Sequence, residues 1–116
     1  MLLGIDKTTL VDEIPSPERV VRINTEFTQK WIIRNDGNSP WEKRKLISKS
    51  LHRGLKPNTE CIEMPTVFPG QIYEHCVNYI SYVEGKYESV WKMYDEHEKI
   101  IYPKLKGLWI TIRSIK

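Results

Sequence analysis

Phe27-Thr28-Gln29-Lys30-Trp31-Ile32-Ile33-Arg34-Asn35-Asp36-Gly37 is the stretch that decides the fold. Phe27, Gln29, Trp31 and Ile33 alternate with Thr28, Lys30, Ile32 and Arg34. A strand with a two-residue period therefore presents the first set on one face and the second on the other. Asn35-Asp36-Gly37-Asn38-Ser39-Pro40 then breaks the strand with turn chemistry, Asp-Gly being a favoured tight turn.

Upstream, residues 8–14 read as an edge strand stopped at Pro15-Ser16-Pro17, because proline cannot donate to a ladder. Val20 to Ile23 is a second short extended piece. Downstream, residues 71–81 place Tyr73, His75, Val77 and Tyr79 on one face. Residues 87–94 place Tyr87, Ser89, Trp91 and Met93 on one face, with Glu88 and Lys92 towards water. Asp95 to Lys99 is a charged hairpin tip. In the last strand, residues 108–115, Leu108, Ile110 and Ile112 alternate with Trp109, Thr111 and Arg113. Residues 60–67 hold a further strand. Residues 42–58 stay open between a short helix, a strand and an exposed loop, since Gly54 and Pro57 interrupt the spacing of Leu46, Ile47, Leu51 and Leu55.

About seven short strands at roughly ten-residue spacing, punctuated by Pro, Gly, Asn and Asp, predict an all-β, immunoglobulin-like antiparallel β-sandwich. The composition agrees. The chain has no Ala, is rich in Ile, and carries six Tyr and four Trp, which suits pleated surfaces better than helices. Its 116 residues fit one domain, read as a linker stub over residues 1–7 and the sandwich over 8–116. No apolar run is long enough to span a bilayer and no secretory leader pattern is visible, so a membrane is not expected and a cytoplasmic setting is. Cys61 and Cys76 form no CxxC and are read as free thiols of a reducing compartment.

With no disulfide to tie the sheets, the core must be built from large side chains. Phe27, Trp31, Ile33, Tyr87, Trp91, Leu108, Ile110 and Ile112 are the predicted core. Tyr87, two residues after Gly85, is placed to bond back to the preceding turn.

The ordered motifs resemble one family. Leu10-Val11-Asp12-Glu13 resembles its first strand, and Phe27 to Gly37 its Phe, basic residue, first Trp and Asn-x-Gly. Pro40-Trp41 supplies a second Trp, Gly85-Lys86-Tyr87-Glu88-Ser89-Val90-Trp91 a third, and Leu108-Trp109 the fourth. The chain thus resembles the four-tryptophan domain, the immunoglobulin-like module of selective-autophagy receptors and their bacterial relatives, over about Leu10 to Ile115. Three places depart from the pattern. Asn24 stands where Gly is usual, Ser81-Tyr82 replaces Ala-Pro, and the spacer from Tyr102 to Gly107 is longer. The resemblance implies a non-catalytic accessory domain that recruits a partner protein. For bacterial relatives the resemblance implies attachment to helix-turn-helix transcriptional regulators or other signalling chains.

Catalytic constellations are not found. His75 reads as a packed or edge histidine, His97 as part of a solvated tip, and Ser50-Leu51-His52 lacks nucleophile–base geometry. There is no phosphate loop and no metal motif, so no cofactor is expected. Charge is uneven. Lys43, Arg44, Lys45, Lys49, Arg53 and Lys56 face only Glu42 between residues 42 and 58, while the chain as a whole carries only +3. With Trp41 and Trp109, these residues are the candidate binding surface. A protein partner is the first reading. A carbohydrate- or surface-binding sandwich using the two Trp rings, or nucleic-acid binding through residues 43–56, are the alternatives. The basic stretch has no interleaved aromatics, which disfavours nucleic acid.

Overall fold

The computed structural model describes residues 6–49, 54–102 and 107–116. At its centre, β3 (Glu26–Asn35) buries Phe27, Gln29, Trp31, Ile33 and Asn35 on one face, the alternation that its sequence dictates. Its partner β7 (Ile72–Ser81) runs antiparallel, with Trp31 opposite His75 and Phe27 opposite Tyr79. β1 (Thr8–Ile14) flanks β3 as the edge strand, with a bulge between Leu10 and Asp12, and β5 (Leu55–Pro57) flanks β7.

The second, larger sheet has the order β2 (Glu18–Arg22), β10 (Leu108–Ile115), β8 (Gly85–Tyr94), β4 (Lys45–Ser48) and β6 (Cys61–Glu63). β9 (Ile100–Ile101) adds to the far end of β8. Pro15 and Pro17 lie where the chain leaves β1 in the first sheet and enters β2 in the second. There β2 pairs parallel with β10, the one parallel pair among the described strands. The described residues thus form ten strands, three of them only two or three residues long, where the sequence pattern counts about seven. Of residues 42–58, left open by the sequence, the described ones include β4 and β5, which lie in different sheets, and no helix.

Between the sheets the aromatic rings meet. Trp31 from one sheet and Trp91 from the other are both fully buried, and His75 lies between them. Its imidazole stacks on Trp31 at 5.4 Å and meets Trp91 edge-on at 4.5 Å. Burying each indole removes roughly 150–250 Å² from water, worth about 4–6 kcal/mol before the entropy of ordering is counted. Both indole N–H groups are satisfied. Trp91 Nε1 donates to Tyr79 Oη at 2.8 Å, and Trp31 Nε1 to the Trp109 carbonyl at 3.3 Å. Phe27, Ile33, Ile110 and Ile112 are buried as predicted, while Tyr87 and Leu108 are partly buried against the same cluster.

Turn chemistry explains several sequence signals. The buried Asn35 amide donates to the carbonyls of Ser39 and Val67, and its oxygen accepts from Gly37 N–H. One side chain thereby fixes the turn that leads to Trp41. Tyr87 Oη donates to the Val83 carbonyl at 2.8 Å, tying the turn before β8 as expected. Asn24 takes φ 60°, the left-handed region that a glycine would otherwise supply. At Gly107 φ is 94°, and a Cβ there would stand 2.3 Å from the Trp91 carbonyl oxygen, so only glycine fits. Cys61 and Cys76 are free and exposed, on different sheets.

Candidate interaction surface

Strand alternation that buries one face of the larger sheet leaves the other outside. Trp109 stands opposite Val90 there, Ile47 opposite Lys92, and Lys45 between Tyr94 and Glu63. Lys49, just past β4, reaches along this face and holds its ammonium 5.4 Å from the Tyr94 ring. Trp109, Tyr94, Lys92 and Ile47 are all partly exposed. Across β4, β6, β8 and β10 this face carries Lys45, Lys86, Lys92 and Arg113 against Glu63 and Glu88. The outer face of β1, β3 and β7 instead balances Lys30 and Arg34 against Asp12, Glu26 and Glu74. The positive charge is therefore carried by one side of the sandwich.

The residues that the sequence offered as a binding surface divide. Trp109, Lys45 and Lys49 fall together on this outer face. Lys43 sits at its end, in a turn with φ 53°, and pairs with Glu96 at 3.6 Å. Trp41 does not belong to the face, and the expectation of an exposed contact ring there is corrected. Its ring is 1% exposed, because its backbone pairs with Val67 and draws the indole inward. Arg44 is also turned away from the face. Its guanidinium lies 5.5 Å from the centre of the Trp41 ring and forms a forked pair with Asp6, at 2.7 and 3.1 Å. Lys56 is on β5, in the other sheet, so residues 43–56 do not make one continuous basic strip. Arg53 lies outside the described residues.

Ile47, Lys92 and Tyr94 complete the surface around a buried Val90, and the sequence reading did not single them out as contacts. The signal was the second face of residues 87–94, where Glu88 and Lys92 were read as facing water but not as part of a contact surface. The tip that follows is held by Asp95, whose Oδ1 accepts from the N–H groups of His97 and Lys99 at 2.8 and 2.9 Å. The Lys99 amide, ahead of the His97 amide and the nearby charges, keeps the Asp95 carboxyl below its ordinary range. That loop leans Glu96 on Lys43 and Glu98 on Lys45, the latter at 3.7 Å.

At the end of the sandwich, burial alone would raise the pKa of Asp6. Hydrogen bonds from Arg44 and Tyr102 more than offset it, and the carboxyl stays below its usual range. His75 is the opposite case. Burial without a partner for either ring nitrogen lowers it to about 3, so it is a neutral packing ring. No group of three or more His, Cys, Asp or Glu residues is arranged to hold a metal ion among the described residues. No helix among them is long and apolar enough to cross a membrane.

The fold recurs in solved structures. The CARDB domain of the PF1109 protein from Pyrococcus furiosus, in complex with di-metal ions, superposes with a TM-score of 0.62 at 14% identity, covering 98% of this chain and 97% of that one. The solution structure of the same domain gives 0.56 at 13% identity, over 97% and 94%. A family 123 glycoside hydrolase from Clostridium perfringens gives 0.55 at 10% identity, over 85% of this chain but only 22% of the enzyme. At these identities the likeness is one of fold. A search of curated protein sequences finds no match. A family model does match, over residues 15–113, nearly the whole sandwich from the first sheet crossing to the last strand. The chain belongs to the family described as the Ig-like domain from next to BRCA1 gene.

Proposed function

We propose that this Ig-like domain is a non-catalytic protein-interaction module that works as an accessory part of a larger protein. The observation that carries this reading is the outer face of the larger sheet. Its partly exposed Trp109, Tyr94 and Ile47 are the aromatic and aliphatic residues that contact surfaces favour at their centre, and the lysines around them make a polar, charged rim. The order of Trp31, Trp41, Trp91 and Trp109 supports placing the chain in the four-tryptophan branch, and with it the helix-turn-helix regulator as one host protein. The unpaired, exposed Cys61 and Cys76 support a cytoplasmic setting.

A quantitative capture experiment tests the reading. The wild-type domain, Trp109→Ala and Lys49→Glu are used as baits, with Lys56→Glu, on the other sheet, as the control. A partner protein retained by wild type and Lys56→Glu but lost by both face variants supports the module. Retention by all four baits refutes the assigned surface. Glycan binding lost in Trp109→Ala alone would favour a carbohydrate-binding sandwich instead. That route has only one of its two expected rings to offer, since Trp41 is buried.

A further inference from the structure

Building on that reading, we infer that the partner presents an acidic, extended segment, and that the chain's own Asp95–Lys99 tip competes with it. A hollow of about 460 Å³ opens at the end of the face, lined by Met64, Pro65 and Thr66 and by the basic Lys43, Arg44 and Lys45, with Glu63 and Glu96 as its acids. Glu96 and Glu98 already place carboxylates against the two lysines. The protein thus displays in itself the chemistry that this site accepts. Both pairs are largely open to water, with the carboxylates 48% and 72% exposed. Such pairs hold weakly, and a partner can displace them.

Lys45 and Lys49 leave the chain on the same face, and the Lys49 ammonium leans over the ring of Tyr94, the residue directly across from Lys45, so the two cations gather at one end of the face. An extended segment with carboxylates two residues apart on its facing side meets both. Apolar side chains further along it would lie over Ile47 and towards Trp109. Charge selects such a segment over a basic one and speeds its arrival, and the aromatic floor supplies the desolvated contact.

The probe is a fluorescein-labelled peptide rich in Glu and Leu, followed by fluorescence anisotropy. A copy with Gln in place of every Glu and a labelled oligothymidylate serve as comparisons. The expected result is saturable binding of the Glu peptide that weakens with salt. Lys45→Glu with Lys49→Glu should weaken it at least about tenfold, whereas Lys56→Glu leaves it unchanged. Glu96→Gln with Glu98→Gln should tighten it about threefold, because the internal competitor is gone. Lys45→Gln with Lys49→Gln replaces the reversal should the latter fail to fold, as judged by its thermal transition. The inference is overturned if the Gln peptide binds as well as the Glu peptide, if oligothymidylate binds more tightly than either, or if the Glu96/Glu98 variant is unchanged. Loss of a captured protein partner on Lys49→Glu, without any binding of the Glu peptide, would leave the module standing and remove its acidic ligand.

Discussion

Acid should destabilise this protein through His75, well before Asp6, Asp36 and Asp95 lose their charge. The imidazole is sealed between Trp31 and Trp91 with neither nitrogen bonded, and its pKa falls from 6.5 to about 3. Below pH 6.5 the unfolded chain binds a proton that the folded chain refuses. Stability is thus fully present above pH 6.5 and declines as pH falls towards 3. At about 1.36 kcal/mol per pH unit, the loss by pH 4.5 is about 2.7 kcal/mol, or a Tm lower by about 10 °C in a chain of this size. Asp6, Asp36 and Asp95, whose pKa values lie below 3.8 when folded, withdraw their contributions only at still lower pH. The assay is urea unfolding, followed by Trp fluorescence at a series of pH values from 7.5 to 4.5, for wild type and His75→Leu. His52 and His97 remain in both proteins, so the difference in slope isolates His75. The leucine variant should lose less than about 0.5 kcal/mol over that range. A flat wild-type profile, or an unaltered slope in His75→Leu, would refute the sealed imidazole.

Gly107→Ala should cost about 1–3 kcal/mol by thermal denaturation, because its Cβ would strike the Trp91 carbonyl in a left-handed backbone conformation; a neutral result would show that the approach is not close. Asp6→Asn should cost about 1–2 kcal/mol, since it leaves the partly buried Arg44 guanidinium without its carboxylate; an unchanged Tm would place Arg44 in water. Acrylamide should quench one component of the tryptophan emission with ease, and Trp109→Phe should remove that component. Trp31, Trp41 and Trp91 are at most 1% exposed, so quenching that persists in Trp109→Phe would contradict their burial.

The fold was legible wherever one face of a strand meets the core, because there burial writes a two-residue period into the sequence. Residues 27–33 and 71–81 are of this kind, and their inward side chains are those read from alternation. The short edge strands were not legible. β4 and β5 span four and three residues, too few for a period, and which sheet each joins is decided by contacts far along the chain. The parallel β2–β10 pair is likewise fixed by the crossing at Pro15–Pro17 and leaves no local signal. Of the candidate surface, Trp109 was legible because it alternates with three aliphatic residues. Trp41 misled because a single Trp after a Ser-Pro turn has no neighbours with which to show a period. The Asn35–Val67 bond and the Trp41–Val67 bridge that bury it are long-range. Charge density along residues 43–56 misled in the same way, since Arg44, next to Lys45, turns to the opposite side and Lys56 falls in the other sheet.

Chemical-shift mapping on the 15N-labelled domain, titrated with the Glu- and Leu-rich peptide, tests the contact face most directly. Progressive shifts should gather at the amides of Ile47, Lys49, Val90 and Lys92 and at the Trp109 indole. Shifts confined to Ile32, Glu74 and Cys76, on the opposite sheet, would contradict it.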